Sequence, residues 1–468
     1  MKIAFFSIPA HGHTNPMLPV AAELVSRGDA VRFYSFEEFG ERIKATGAEF
    51  VSCDRFLPEV SDEEMEKLMN VSNTEMTIQD IRTTLSMNDF LDSEFKSFKP
   101  DVVYTDAVCF WGKLNAWKHN VPMVCSTSTF AFNRMSSKYM KYSSAEIKDM
   151  LLGLPKISKE LKTLRPYGYN VKRALDLVQN DNKTDTVVYT SREFQPYSES
   201  FTDHYAFVGP SVFSKADVNK AKDRPLVYIS LGTVINDRPD FYNNCIEALS
   251  DENVDVIISR GVYMDEKRLN KLPDNIKTFE RVDQLDVLSR ADVFITHCGM
   301  NSVSESLYMA APMVLYPQTN EQRAVAKRVE EKGAGITLCD DSPEGIKKTV
   351  TEILNNKKYA DSAKHMSDNF RSCIGVKGAA DFIKSAPHTS DGIDLIEEMN
   401  KTNRIVQPLY WLVILTLIVL FGIFVSWLFV WIIGVAGGIL FYPICNKFQM
   451  MRYNLLAKKV RNKNEKAV

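Results

Sequence analysis

The chain has 468 residues, 45% apolar and 25% charged, with a formal net charge of −2. That balance is globular rather than disordered, the length suffices for two ordinary domains plus an accessory segment, and near-neutrality excludes a chain-wide basic footprint for nucleic acid. Eight cysteines, at 53, 109, 125, 245, 298, 339, 373 and 445, form no CxxC pair and no Cys/His cluster of zinc spacing, so free buried thiols in a reducing cytoplasm are expected rather than a metal site or disulfide framework.

The opening MKIAFFSIPAHGH has too short an apolar run for a signal peptide and reads as a buried strand entering a Gly/His loop. In PAHGHTNPMLPVAAEL, Gly12 permits a tight turn and a helix starts near Asn15 or Pro16. His13 is then expected to project into a cleft from the strand's carboxyl end. An imidazole there suits removal of a hydroxyl proton near neutral pH. It needs a carboxylate to fix its tautomer and stabilise its cation, and Asp106, closing the run DVVYTD, is the natural partner. His11 is expected to be structural or substrate-adjacent. The runs AVRFYSF, DVVYTD, PMVCSTS and TVVYTS continue this first series of strands. The stretch STFAFNRMSSKYMKYSSAEIKDMLLGL, rich in Met, Tyr and Phe, either is plain core or lines an adaptable apolar acceptor pocket.

Gly209–Pro210 and the polar SKADVNKAKDRP read as a linker. A second series follows: PLVYISLG, VDVIISRG, IKTFERV, ADVFITH, PMVLYP and GAGITL. Strands alternating with amphipathic helices predict two consecutive doubly wound α/β domains, with a ligand cleft between them at the strands' carboxyl ends.

Within ADVFITHCGMNSVSES a strand ends at Thr296 and a helix is predicted from Asn301, with Asn or Ser at its cap. Gly299 would allow close approach of backbone to a ligand. Free N–H groups at that helix start, with His297, Asn301 and Ser302 around them, suit a pyrophosphate. Glu305, four residues beyond Asn301, shares its face and is placed to hold ribose hydroxyls. Downstream, Glu321 and Gln322 open another helix toward the same cleft. Taken singly, each of these residues also has an ordinary reading as a loop histidine, a plain cap or a solvated helix face.

From Ile405 to Asn446 there is no charged residue. As one helix that run is roughly 60 Å long, against a hydrocarbon core of about 30 Å, so two short spans fit better than one. Tyr410 and Trp411, Trp427 and Trp431, and Phe441 and Tyr442 form three aromatic groups, as expected if the chain meets an interface three times. Lys401 and Arg404 precede the run, and Lys447, Arg452, Lys458, Lys459, Arg461, Lys463 and Lys466 follow it. A hairpin keeps both basic flanks on the inner side. The alternative is one span plus an interfacial stretch around Gly434, Gly437 and Gly438.

The segment from Arg281 to Gln322, RVDQLDVLSRADVFITHCGMNSVSESLYMAAPMVLYPQTNEQ, resembles the UDP-sugar signature of family 1 glycosyltransferases, most of all their bacterial macrolide-glycosylating branch. The resemblance runs from the first strand to about residue 385. It implies a GT-B architecture, with an acceptor-binding Rossmann-like domain at 1–212 and a UDP-sugar-binding one at 213–386. A linker at 387–407, a membrane segment at 408–446 and a basic tail at 447–468 would follow. By the resemblance His13 and Asp106 match the catalytic base and its aspartate. His297, Asn301 and Ser302 would hold the diphosphate, Glu305 the ribose, and Glu321 and Gln322 the sugar hydroxyls. Gln284 lies near the uridine, and Gly232, Thr233, Arg281, Val282 and Gly299 complete the donor-binding set. Three positions depart from the pattern: Arg281 stands where an aromatic that stacks on uracil is common, Asp283 replaces the usual proline, and Glu321 stands where aspartate is commoner.

No DxD triad occurs, so neither a metal nor a cofactor is expected; the UDP-sugar is a co-substrate, and the helix dipole would stabilise the leaving UDP. The implied function is inverting transfer of a hexose, glucose by resemblance, from a UDP-sugar to a hydroxyl of a small lipophilic acceptor. The enzyme would sit on the cytoplasmic face of a bacterial cell membrane, with the lipid bilayer as partner and no nucleic acid. A UDP-sugar epimerase and a non-catalytic auxiliary protein of the same fold are the rivals. The intact signature and the His13/Asp106 pair count against both.

Overall fold

The computed structural model describes residues 1–57, 73–171, 177, 182–212, 218, 223–390, 393–424 and 427–465. Most of the expected linker, SKADVNKAKDRP, lies outside the described residues.

In the first half, the apolar runs form β1 (Lys2–Phe6), β2 (Ala30–Ser35), β3 (Glu49–Ser52), β4 (Val102–Asp106), β5 (Met123–Thr127), β6 (Thr186–Val188) and β7 (Tyr205–Phe207). Among the described residues they build one parallel sheet in the order β3-β2-β1-β4-β5-β6-β7. The central strands are apolar on both faces because helices cover both: Ile3, Ala4, Phe5 and Phe6 are each at most 1% exposed. The edge strands β3 and β7 are short, and neither stands out as an apolar run in the sequence.

The six runs of the second series become β8 (Leu226–Ser230), β9 (Asp255–Ser259), β10 (Ile276–Phe279), β11 (Val293–Thr296), β12 (Met313–Leu315) and β13 (Gly335–Thr337). Their order is β10-β9-β8-β11-β12-β13, again parallel among the described residues. In each sheet the order reverses beside the first strand, between β1 and β4 and between β8 and β11. Such a switch point opens a crevice at the carboxyl ends of the strands. This is the GT-B fold.

The helix Gly375–Lys384 crosses back from the second half and buries Ala379, Ala380 and Ile383 in the core of the first sheet. It lies within the span 213–386 expected for the second domain, yet packs on the first. Arg27 holds it from the first domain through Asp381.

Two long helices close the chain, Leu395–Phe424 and Trp427–Glu465. They pack side by side, and the second runs unbroken through Gly434, Gly437 and Gly438. The Tyr410 hydroxyl donates to the Gly437 carbonyl (2.5 Å), and the Phe441 ring lies 5.4 Å from Tyr410 and 5.3 Å from Trp411. The first and third aromatic groups therefore share one level. By length and composition alone, Leu395–Leu420 suffices to cross a bilayer, and its apolar window is exposed. The base of the pair is docked on the first domain. Arg134 donates to Asn400 (3.0 Å) and Gln449 (2.9 Å), Tyr453 donates to Glu199 (3.1 Å), and Met135 is buried with Leu395, Met399, Tyr453 and Leu456. All eight cysteines are free thiols, six of them buried.

Candidate active site at the two switch points

At the first switch point the chain leaves β1 through a loop pinned by hydroxyls. Ser7 and Ser35 share a hydrogen bond (2.9 Å), and Thr14 donates to Ser7 (3.1 Å) and to the Ile8 carbonyl (3.2 Å). The loop then forms a single short helical stretch, His11–Thr14, before the helix Met17–Ser26 begins. Gly12 therefore lies inside that short helix, with no positive φ, rather than in the tight turn expected of it. Its missing side chain instead faces the other domain: a Cβ there would sit 3.9 Å from Asn301 Nδ2.

This loop sets His13 beside Asp106, 2.8 Å from Nδ1 to Oδ2, as the sequence predicts for two strand ends flanking the switch point. Asp106 is 1% exposed, and its other oxygen accepts from the Val108 N–H (2.9 Å). A carboxylate so held accepts from Nδ1–H, which leaves Nε2 without a proton and able to take one. Burial pulls the imidazole pKa down, but the Asp106 charge, its hydrogen bond and the charge of Glu321 outweigh it, and the pKa is raised above the ordinary histidine value. Ser128, at the end of the neighbouring β5, places its hydroxyl 3.4 Å from the same nitrogen. His11 is paired with Glu38 (2.8 Å) and stands edge-on to Phe39.

At the second switch point the helix is Met300–Tyr308, and its N-cap is Gly299, with no side-chain cap. Asn301 and Ser302 therefore sit within the first turn rather than at the cap, and the turn's amides have no capping side chain. That is the arrangement that receives an anion. The left-handed residue of this loop is Cys298 (φ +68°), not Gly299. Strain of this kind in a non-glycine residue gathers at functional sites. Gly299 and Gly232 instead make room for the His297 ring: a Cβ on either would stand within 2.6 Å of it. Among the described residues no carboxylate pairs with this imidazole. Burial, only partly offset by a hydrogen bond that the ring donates to the Ser230 backbone carbonyl, pushes its pKa down to about 4, and Nδ1 is buried without a partner.

Gln284, Ser302 and Glu305 converge. The Gln284 amide donates to Glu305 (2.6 Å), lies 3.4 Å from Ser302 Oγ, and accepts from the Tyr228 hydroxyl (3.1 Å). Burial raises the Glu305 pKa; the Gln284 hydrogen bond opposes this and the Asp283 charge adds to it. Asp283 has a structural reason: it caps the helix Gln284–Arg290 by accepting from Leu285 (3.1 Å) and Asp286 (3.2 Å), which fixes Gln284 at the first position. Arg281 and Thr233 are exposed and Val282 is half-buried. Gln322 is partly committed, because its Oε1 closes a capping box with Thr319 and accepts from Gln318. Glu321 is exposed.

The two crevices face each other. Asn301 Nδ2 donates to the Gly12 carbonyl (3.1 Å), and the charge of Glu321 reaches His13. Sequence reasoning did not single out Tyr228 or Ser128. Tyr228 shares a strand face with Ser230 by two-residue periodicity, and Ser128 ends the strand next to β4; those were the available signals. The Met/Tyr/Phe-rich stretch splits: Phe130 and Met135 are buried in core clusters, whereas Ile147, Met150, Leu151, Leu152 and Leu154 are exposed.

Residues 212–371 match the family model described as UDP-glucoronosyl and UDP-glucosyl transferase. The uncharacterized UDP-glucosyltransferase YojK of Bacillus subtilis is 32% identical, over 82% of this chain and 97% of its own length. The NDP-glycosyltransferase YjiC of Bacillus licheniformis is 33% identical over the same shares. Among solved structures, the glycosyltransferase of kitacinnamycin superposes with a TM-score of 0.71 at 25% identity, covering 82% of this chain and 98% of that one.

Proposed function

Because the chain belongs to the UDP-glycosyltransferase family, UDP-dependent enzymes that pass sugars to small acceptors, we propose that it moves a hexose, glucose first, to a hydroxyl of a lipophilic acceptor at a membrane surface. The observation that carries the reading is the His13–Asp106 pair at one switch point, facing an uncapped helix start at the other. In this reading Nε2 of His13 removes the acceptor hydroxyl proton, and the oxygen attacks the anomeric carbon from the first domain's side. The bond to UDP breaks on the opposite face, which inverts the anomeric centre. UDP leaves with its charge on the first-turn amides of Met300–Tyr308, beside His297, Asn301 and Ser302. Glu305 and Gln284 hold the nucleoside, with Arg281, Val282, Gly232 and Thr233 around it, and Glu321 and Gln322 meet the sugar. Acceptor binding belongs to the first domain and donor binding to the second.

The membrane part of the reading rests on the two terminal helices. Each arm of the uncharged run is about 20 residues, or roughly 30 Å, the thickness of a hydrocarbon core. Arg404 and Lys447 bound the run, so both bases stand on one side, the cytoplasmic one where UDP-sugars are made. The test is incubation of detergent-solubilised protein with a panel of UDP-sugars, following UDP release with and without lipid extract. Release specific to UDP-glucose and stimulated by lipid supports the reading; release insensitive to every lipid and hydroxyl acceptor overturns it. Truncation after residue 404 should leave UDP release intact but weaken transfer to bilayer-dissolved acceptors.

A further inference from the structure

The helix Ser144–Thr163 carries an apolar stripe that stands exposed among the described residues. One face packs inward through Gly153, Ile157 and Leu161. Along the flank of that face, Ile147, Met150, Leu151 and Leu154 follow the i, i+3, i+4, i+7 spacing of a continuous stripe, and they are 42% to 63% exposed. Lys148, Lys159 and Lys162 stand exposed on the adjoining sector. The helix's acids are engaged within the protein: Glu146 by the Ser143 cap and Asn320, Asp149 by Thr74, and Glu160 by Arg82. The outward face is therefore apolar and cationic, the composition of a helix that lies in a lipid interface.

Its position agrees. Lys138 Nζ lies 3.5 Å from Met450 Sδ at the base of the terminal helix pair. The six residues from Lys138 to Ser144 span no more than about 21 Å. At the same end, Glu146 bonds Asn320, the first residue of the helix that carries Glu321 and Gln322. The stripe thus begins beside a residue bonded to the start of that helix, and within about 21 Å of chain from the base of the helix pair.

We propose that Ser144–Thr163 is a second membrane contact, lying at the headgroup–acyl boundary of an anionic bilayer and forming the shore along which a lipophilic acceptor enters the cleft. This rests on the membrane reading of the terminal helix pair. The test uses full-length protein carrying Cys339→Ser and Cys373→Ser, reconstituted in vesicles of phosphatidylcholine with a minority of phosphatidylglycerol. An environment-sensitive fluorophore is placed in turn at Leu151→Cys, at Leu417→Cys in the helix pair, and at Asp361→Cys on the donor side. Doxyl-labelled lipid should quench the label at 151 about twofold and shield it from aqueous iodide, while the label at 361 responds to iodide alone. Quenching at 417 but not at 151, with iodide reaching 151 as freely as 361, overturns this proposal and leaves the helix-pair reading standing. Failure of lipid quenching at 417 as well removes both.

Discussion

Each of the two switch points holds a partly buried histidine on the loop after a central strand, His13 and His297, and treats it in opposite ways. His13 follows β1 and meets a buried carboxylate, so its pKa is raised despite burial. His297 follows β11 and meets two glycines and the Ser230 backbone carbonyl, so burial outweighs that one hydrogen bond and its pKa falls to about 4. The same side chain in the same topological place has a raised pKa in one domain and a lowered one in the other. Residue type does not assign the role; the partner does.

The sharpest way to break this comparison is to remove the first histidine. His13→Ala should lower transfer by a factor on the order of a hundred to ten thousand, with UDP affinity by calorimetry unchanged. Near-full turnover in that variant would show that the base lies elsewhere. Asp106→Asn leaves the imidazole but not its charge partner, and should cost on the order of tenfold to a thousandfold. The sign of its pH effect is fixed by the pair. His13 acts as a base only when neutral, so activity falls as pH drops through its raised pKa. Without Asp106 that pKa falls, and the acid limb of kcat/KM moves to lower pH. A limb that stays put would mean that another group sets it.

The second histidine should behave differently. His297→Ala should weaken UDP and UDP-sugar together, by about tenfold, since both carry the diphosphate. With its pKa lowered to about 4, His297 is neutral near pH 7, so UDP binding around neutrality in wild type and in His297→Gln should have pH profiles of the same shape. A titration step present only in wild type would contradict its neutral state. The smallest effect concerns the bridge between the two points. Asn301→Ala loses the hydrogen bond to the Gly12 carbonyl and should lower kcat about two- to tenfold. An unchanged kcat would mean that this contact does not hold the base against the donor.

Much of this was legible in the chain because central parallel strands are buried on both faces and must be written as unbroken apolar runs. KIAFF, VVYTD, LVYIS and VFIT announce themselves for that reason. The edges do not. EFVS and YAF are short and pair on one side only, and less burial leaves a weaker pattern. Loop geometry was harder still. Gly12 was expected to make a tight turn, yet it lies in a short helix with no positive φ, and the strained residue beside Gly299 is Cys298. The aromatic and methionine run from 128 to 154 could not be divided in advance, since apolar content does not say which residues a neighbour will cover.

The sequence by itself determined two doubly wound sheets, the strand ends that carry His13, Asp106 and His297, and an uncharged terminal run long enough for two spans. These depend on local periodicity and on the chain's own order. Only the tertiary structure decided the pKa of each histidine, the Asn301–Gly12 bridge, the return of Gly375–Lys384 to the first domain and the docking of the terminal helices on Arg134 and Glu199. Each of these joins residues far apart in the chain. Their energies come from burial and charge partners that exist only once the chain is folded.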